Sequence, residues 1–417
     1  MNSRDVEAMA GQANLTSFAN NSSMSEDLPI TSNNQEDFHD KTHEIVHVPS
    51  RQSSFVSAPP DGGFWAWMSV VSGFFIILNT WGVFISFGVF QTYYITVLDR
   101  SPSDISWIGS LEIFLLLFTG SLAGVLTDAG YFRITVTVGA VLIVLGTFMT
   151  SISKTYWQIF LAQGICTGLG NGLLFTPVMA VISTYFSRRR SIALALAACG
   201  STVGGLIFPS MARTLLPRAG FGWTMRAIGF LQLGTLILAL AVIKPRPMSK
   251  KGKGPLFDFT AFREAEYSLY AAGTFMTFIG VFFPFFYLSK YAQDIQGLSY
   301  SDSLNLVLVL NGVGIVARVF PSIIALWVGT FNVFTTLVAT SALMMYCWAA
   351  VPSLQGLYIW TVFFSLSMGG IQSLLPAALA ALKFDSQKQG TRMGMVFAVI
   401  AFAEGAISMR KYFRGLA

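Results

Sequence analysis

The chain has 417 residues, of which 53% are hydrophobic and 11% are charged, and its formal net charge is +6 at pH 7. Soluble domains carry about 25% charged residues, so this composition excludes an ordinary soluble protein and, with a mean hydropathy of +0.61, indicates a polytopic membrane protein. The basic residues lie between apolar runs, which favours a role in membrane topology over binding to nucleic acid.

Residues 1–57 form a polar segment that is rich in Ser, Asn, Asp and Glu. Such a segment buries too little apolar surface to fold alone, so it is predicted to be a disordered cytosolic tail. Its histidines, His39, His43 and His47, have the i, i+4 spacing of a helical metal site, but we prefer to interpret them as part of a floppy polar segment. No metal site is therefore expected.

The chain is predicted to enter the membrane at residues 59–67, PPDGGFWAW. The aromatic rings of this stretch fit the headgroup zone that Trp and other aromatic side chains prefer. The next charged residue after Asp61 is Asp99. The run 64–90 is thus long enough for a first transmembrane helix, which needs about 20 apolar residues.

Further apolar runs of helical length follow, and a basic stretch separates the sixth run from the seventh. All the runs lie at residues 64–90, 106–126, 134–152, 157–184, 191–213, 224–243, 267–290, 303–326, 330–351, 355–382 and 393–409. Strands are not expected because the alternation of apolar and polar residues is absent. The sequence therefore predicts an all-α membrane protein with about 11 transmembrane helices.

Three regions follow the tail in this interpretation: an N-terminal six-helix half at 58–243, a basic cytosolic central loop at 244–266 and a C-terminal half at 267–417. Lys and Arg are concentrated in the segments that are cytosolic if the tail is cytosolic. We expect a multi-pass protein of the plasma membrane with a cytosolic N-terminus.

The last apolar run, 393–409, is short and contains Glu404. If it crosses outward, the basic residues 410–414 lie outside, against the charge rule that the other loops obey. We expect the last helix of the second half to be missing. Two explanations stay open: a truncated or mispredicted C-terminus, or a last segment that does not span.

The stretch GVLTDAG at residues 124–130, followed by Arg133, resembles the signature loop between helices 2 and 3 of the major facilitator superfamily. The resemblance implies two six-helix halves and a cytosolic latch at this loop. Glycines permit a tight turn there. We expect Asp128 to accept hydrogen bonds from a neighbouring helix terminus and Arg133 to pair locally.

Two other stretches resemble the signatures of the monocarboxylate porter family: residues 61–67 its helix 1 signature, and residues 185–195, YFSRRRSIALA, its helix 4 to 5 signature. With the polar tail and the phrase FGVFQTYY at 87–94, the chain looks like the fungal branch. The resemblance covers about residues 58–408. We assign gating or conformational roles to Asp61, Gly62, Gly63, Asp128, Arg133, Arg188, Arg189 and Arg190.

The chain departs from this family at two positions. Animal members carry a helix 1 lysine whose position here is estimated as Phe84, and they carry an acid one turn from an arginine on helix 8. Here Arg318 is present, but Gly314 stands where the acid would be. The departures favour a larger or less charged organic molecule over lactate.

Polar side chains within the apolar helices are candidates for the substrate site, because a polar group at membrane depth must find a partner or face a water-filled cavity. In the superfamily this cavity is lined mainly by helices 1, 4, 7 and 10. The candidates on these helices are Asn79, Thr80, Gln163, Asn171, Thr274, Thr277, Tyr287, Ser367 and Gln372. Each could bind substrate or another helix.

Two charged residues lie within the runs. Arg318 near mid-bilayer costs about 3 kcal/mol or more. We predict that it binds an anionic or strongly hydrogen-bonding substrate; the alternative is a structural pair with an acid elsewhere. Glu112 is the candidate for proton coupling, because a carboxyl group that leaves water binds a proton more readily. Its alternative is a paired position in the outer vestibule.

Helix 4 repeats glycine every four residues, at Gly164, Gly168 and Gly172, and helix 5 does so at Gly200 and Gly204. Small residues at this spacing let helices approach closely, so packing is the main interpretation. The alternative is a seam along which the two halves rock around a central site.

The sequence contains no catalytic constellation and no phosphate-binding loop, so neither an enzyme nor a cofactor is predicted. We expect a secondary active transporter of small organic molecules, monocarboxylate-type or related, that works by alternating access. Its expected partners are the lipid bilayer, a proton gradient and a small organic substrate, for which an anion is one option. The alternative is an efflux pump that exports a fungal secondary metabolite.

Overall fold

The computed structural model describes residues 61–98, 100–246, 259–382 and 389–414. The predicted tail 1–57, most of the predicted central loop and the segment 383–388 lie outside the described residues. Every regular element of the described part is helical.

The helices of the N-terminal half are α1 (Phe64–Ile85), α2 (Phe87–Leu98), α3 (Pro102–Asp128), α4 (Phe132–Ile152), α5 (Tyr156–Ile159), a π-helical segment (Phe160–Thr167), α6 (Gly168–Tyr185) and α7 (Arg190–Val242). The C-terminal half follows a short 3₁₀ helix (Phe259–Arg263) and contains α8 (Ala265–Asp294), α9 (Tyr300–Val328), α10 (Thr330–Trp348), α11 (Leu354–Ala381) and α12 (Gln389–Arg414). Eight spans in the described residues are long and apolar enough to cross a bilayer.

Helix α7 joins two predicted transmembrane runs into one element of 53 residues. A straight helix of that length would be about 80 Å long at 1.5 Å per residue, far more than the hydrocarbon core of about 30 Å. Gly220 breaks it with φ 74° and ψ 172°, a conformation that glycine adopts readily. The two crossings therefore remain separate, and the long element reflects a tight connection between them.

The predicted first transmembrane run, 64–90, is divided between two helices, α1 and α2. Ser86 separates α1 from α2, and its hydroxyl donates a 3.0 Å hydrogen bond to the carbonyl of Gly82. Helix α2 then continues to Leu98, beyond the predicted end. A hydroxyl that bonds its own helix backbone is a known source of local bending.

The glycine repeats lie in helix–helix contacts. A side chain on Gly168 would come within 3.1 Å of the backbone of Glu112, and one on Gly172 within 2.7 Å of the carbonyl of Leu116. Helix α6 thus packs backbone to backbone on α3. Gly200 approaches the Phe74 carbonyl in the same way, so α7 packs on α1. The packing interpretation of both repeats is confirmed.

The two halves meet along a few helix pairs. Helix α12 packs along α3, and α9 and α11 pack along α7. A side chain on Gly394 of α12 would meet the Cα of Ser121 at 2.5 Å, so the α3–α12 approach is close. These contacts place the facing surfaces of the halves around the middle of the bundle, where the candidate site lies.

Candidate substrate cavity

A cavity lies between the two halves and contains about 900 Å³ of space between atoms, part of it open to solvent. Side chains of α1, α3, α6 and α7 form one wall, and side chains of α8, α9, α11 and α12 form the other. Small-molecule sites are often clefts of this kind between packed helices, so this cavity is the candidate substrate site.

The cavity lining is mostly apolar and rich in aromatic rings. The aromatic members are Trp81, Phe84, Phe175, Phe278 and Phe397. The polar members are Ser201, Asn311, Arg318, Ser365 and Gln372. Arg318 is the charged residue among them, so a bound molecule would meet one positive group within an apolar, aromatic surface.

Arg318 is 6% exposed and is held by neutral groups. Its Nη1 donates to the carbonyl of Gly314 on the same helix at 3.0 Å, and its Nη2 donates to Oε1 of Gln372 on α11 at 2.7 Å. Its Nε has no hydrogen-bond partner among the described residues. Within that part of the chain no carboxylate pairs with Arg318, so the structural ion pair considered above is not found there.

Two predicted substrate residues on α1 are turned to other partners. Asn79 donates to the carbonyl of Phe75 at 2.7 Å and to the hydroxyl of Thr235 on α7 at 2.8 Å. Thr80 donates to the carbonyl of Ile76 at 3.0 Å. Both residues are fully buried and neither lines the cavity. Asn79 therefore connects α1 to α7, whereas Thr80 bonds within α1.

Gln163 and Asn171 lie in a separate polar cluster with Glu112. The hydroxyl of Tyr94 donates to Oε1 of Gln163 at 2.7 Å, and Nδ2 of Asn171 donates to Oε1 of Glu112 at 3.3 Å. Glu112 is fully buried, so its alternative position in an outer vestibule is wrong. The side chain of Tyr287 lies outside the described part of the structure.

Sequence reasoning missed Asn311, which lines the cavity seven residues before Arg318 on α9. Residues i and i+7 share a helix face, so this spacing was a signal that could have found it. The aromatic lining carried no such signal, because aromatic residues are frequent throughout the apolar runs.

Asp61 connects the two stretches that resemble the porter signatures. Its Oδ1 accepts backbone N–H groups from Ser187 at 2.5 Å and Arg188 at 2.8 Å, with a longer contact of 3.5 Å from Arg189. Burial raises the pKa of Asp61, but these donors and the charge of Arg190 outweigh it and lower the pKa below its usual value. A carboxylate is thus favoured at the entrance to α1.

Residues 61–63 differ in backbone conformation and in the space around them. Asp61 itself has φ 50°, a region that Asp tolerates better than most residues. Gly63 precedes α1 with φ 94°, which favours glycine. A side chain on Gly62 would meet no atom within 4 Å. The side chains of Arg188 and Arg189 are exposed, so it is their backbone that makes this junction.

Asp128 bonds across the two halves. Its Oδ2 accepts both the backbone N–H and the hydroxyl of Thr391, each at 2.9 Å, in the first turn of α12. An anion near a helix N-terminus is favourable because unpaired N–H groups point toward it. This is the expected bond to a neighbouring helix terminus. Arg133 is exposed in the first turn of α4.

Two further contacts between the halves lie at the start of α7. Nη1 of Arg190 donates to the carbonyl of Ala380 on α11 at 3.0 Å, and the hydroxyls of Ser191 and Thr330 are 3.0 Å apart. Arg190 also donates through Nε to the carbonyl of Phe186. Together with Asp128, these contacts join the halves beyond one end of the cavity.

A helical membrane bundle whose two halves enclose a cavity near its middle has the architecture of a secondary transporter. Residues 71–408 match the family model of the Major Facilitator Superfamily, and the chain belongs to that superfamily of transporters. The predicted all-α major facilitator fold is confirmed, whereas the narrower monocarboxylate porter resemblance stays a prediction.

Several fungal proteins are similar to this chain. An MFS-type transporter of Gibberella zeae is 46% identical over 84% of this chain and 80% of its own length. An aspyridones efflux protein of Emericella nidulans is 33% identical over 87% of this chain and 74% of its own length. An agnestins efflux protein of Paecilomyces divaricatus is 34% identical over 85% of this chain and 83% of its own length.

A solved structure shares the fold. The crystal structure of the human organic anion transporter MFSD10 matches with a TM-score of 0.69 and 12% identity, over 84% of this chain and 93% of that one. At this level of identity the likeness concerns the fold alone.

Proposed function

We propose that this transporter exports a small organic molecule, a fungal secondary metabolite that combines aromatic or other apolar rings with one anionic or strongly hydrogen-bonding group. The observation that carries the proposal is the position of Arg318, which is buried in an otherwise neutral cavity and, among the described residues, is held by a carbonyl and an amide. A guanidinium has five N–H donors in a fixed fork, so these two acceptors leave donors for a ligand.

The cavity walls support the larger substrate rather than a small monocarboxylate. Phe84, the estimated counterpart of the helix 1 lysine, lines the cavity as an apolar ring. A small carboxylate would leave most of the aromatic surface uncovered, whereas a ring system would cover it. The efflux names of two relatives support export over uptake.

The transport cycle that we propose is alternating access driven by a proton gradient, in a plasma membrane with the N-terminus in the cytosol. In this orientation, the contacts of Asp128, Arg190 and Ser191 close the cavity on the cytosolic side. Breaking these contacts would let the two halves open to the cytosol and load substrate. The halves are the proposed regions 58–243 and 267–417, joined by the proposed loop 244–266.

The proposal is tested with fluorescein, an aromatic anion, in liposomes that contain the purified chain. The fluorescein retained is measured after lysis at one fixed pH, so that its fluorescence does not follow the transport pH. We expect Arg318→Gln to lower the flux at least tenfold, since a charged hydrogen bond contributes about 1.5–3 kcal/mol and about 1.4 kcal/mol is a factor of ten.

The matched control is Arg218→Gln, which removes the same charge from an exposed position. Its flux should equal that of the wild type. Equal flux in the Arg318 and Arg218 variants, or no flux in the wild type, would contradict the proposed substrate class.

A further inference from the structure

Glu112 is a buried carboxyl group that the substrate cavity does not use. It lies in α3, is 0% exposed, and is absent from the cavity lining. Its Oε1 accepts a hydrogen bond of 3.3 Å from Nδ2 of Asn171 on α6, and the side-chain amide of Gln163 in the π-helical segment also lies beside the carboxyl group. The group therefore needs an explanation of its own, because an ionisable side chain inside a membrane protein is costly unless it is paired or functional.

Two oxygen atoms in this cluster lack a donor. Oε2 of Glu112 and Oδ1 of Asn171 are both buried and have no hydrogen-bond partner among the described residues. Both are acceptors, and two acceptors cannot satisfy each other. A proton on Glu112 removes this conflict, because a neutral carboxylic acid has one O–H donor that an ionised one lacks.

The described residues around Glu112 offer no positive charge to a carboxylate. Helices α1, α2 and α6 and the π-helical segment contain no charged residue. The titratable neighbour is Tyr94 of α2, whose hydroxyl is already donated to Gln163. The other acids of α3 are Asp104 and Asp128, which lie at its two ends.

The two remaining helices that pack on α3 do not supply a counter-charge either, within the described side chains. Arg133 of α4 is exposed at the far end. Arg392 of α12 is paired with Glu264 at 2.7 Å. At the level of Glu112, α12 contacts α3 through the ring of Phe402 against Phe114, and the side chains of α12 from 404 onward lie outside the described part.

The backbone beside Glu112 is irregular. The π-helical segment Phe160–Thr167 carries Gln163 and ends just before Gly168, where an added Cβ would lie 3.1 Å from the Glu112 backbone. π-helical turns are rare and occur frequently at functional sites. The irregular backbone beside a buried carboxyl group therefore supports a functional role for this contact between α3 and α6.

We propose that Glu112 and Asn171 form a proton-binding site that is separate from the substrate cavity and is occupied by one proton in this conformation. In this site the carboxylic acid O–H of Glu112 donates a hydrogen bond to Oδ1 of Asn171, and Nδ2 of Asn171 donates one to the other carboxyl oxygen. On release, the O–H bond breaks, the electron pair stays on the carboxylate, and the proton passes to water.

The bare carboxylate then lies among neutral groups, so the α3–α6 contact must open enough to admit water. Proton release and helix movement are coupled in this way. The coupling role rests on the proposed transport function, whereas the protonated state of Glu112 does not.

The first test is substrate-free infrared spectroscopy of the purified, reconstituted chain at neutral pH. We expect the C=O stretching band of a protonated carboxyl in the wild type, its loss in Glu112→Gln, and its retention in Asp104→Asn, which changes a partly exposed acid of the same helix. No such band in the wild type, or an unchanged band in Glu112→Gln, would overturn the proposal.

The second test measures fluorescein flux from liposomes with and without an acidic exterior. Gln mimics the neutral acid, so Glu112→Gln should retain exchange of fluorescein without a gradient but lose the acceleration by the gradient. Full acceleration in this variant would overturn the coupling role. Absence of flux in the wild type would instead contradict the transport proposal, while the infrared result still decides the state of Glu112.

Discussion

The carboxylate of Asp61 accepts a 2.8 Å hydrogen bond from the backbone N–H of Arg188, 127 residues later in the chain. The return bond runs from the N–H of Asp61 to the carbonyl of Tyr185 at 3.1 Å. The start of α1 is thereby fixed to the turn between α6 and α7. The two stretches that resemble separate porter signatures are thus one structural junction.

Replacing Asp61 should destabilise this junction. Asp61→Ala removes an acceptor from the N–H groups of Ser187 and Arg188, and hydrogen bonds to a charged group contribute about 1.5–3 kcal/mol. We expect a lower Tm of the purified chain. Gly62→Ala is the neighbouring control, because its side chain would meet no atom. Equal Tm values for the two variants would contradict this role of Asp61.

The Asp61 junction should depend on pH in a defined direction. Because its pKa is lowered in the folded chain, its charge stabilises the fold above the unfolded pKa of about 4, and this stabilisation is lost as the pH falls through the lower folded value. The difference in Tm between wild type and Asp61→Asn should therefore be largest near neutral pH and shrink in acid. A difference that grows on acidification would refute the assignment.

The bond between Asp128 and Thr391 should hold the first turn of α12. Asp128→Ala removes both acceptor contacts, whereas Thr391→Val removes only the hydroxyl contact. We expect faster amide hydrogen exchange in this turn for both, with the larger change in Asp128→Ala. Asp104→Ala, at the other end of α3, should leave this turn unchanged. The same exchange in all three variants would argue against a latch.

The α1–α7 contact should not tolerate a single added methyl group. In Gly200→Ala the new Cβ would overlap the Phe74 carbonyl, and overpacking costs about 1–3 kcal/mol. Gly234→Ala is the matched control on the same helix, since its Cβ would meet nothing within 4 Å. We expect lower Tm and yield for the first variant only. If Gly200→Ala keeps its Tm, the helices are not so closely packed.

A carboxylate placed beside Arg318 should weaken anion binding at the proposed site. In Gln372→Glu a carboxylate replaces the amide oxygen that lies 2.7 Å from Nη2 of Arg318. It should pair with the guanidinium and raise the Kd for fluorescein at least tenfold, a loss of about 1.4 kcal/mol. Gln158→Glu, at an exposed position, adds the same charge as a control. Unchanged affinity in Gln372→Glu would mean that Arg318 does not bind the anion.

The sequence by itself determined the features that depend on local chemistry. Transfer of long apolar runs into lipid predicts helices, and the start of α1 after Asp61 and Gly63 agrees with the predicted junction. It also indicated that Arg318 has no acid one turn before it, since Gly314 is four residues away on the same helix. These inferences need only the identity and spacing of neighbouring residues.

Only the tertiary structure decided which polar residues face the cavity. Asn79 and Asn311 look alike in sequence, each an amide within an apolar run, yet Asn79 bonds to Thr235 of α7 and Asn311 lines the cavity. Glu112 likewise proved to be buried against α6. The physical reason is that the rotation and partner of each helix depend on contacts between residues far apart in the chain. The packing of Gly168 of α6 against α3 is such a contact, and local periodicity does not specify it.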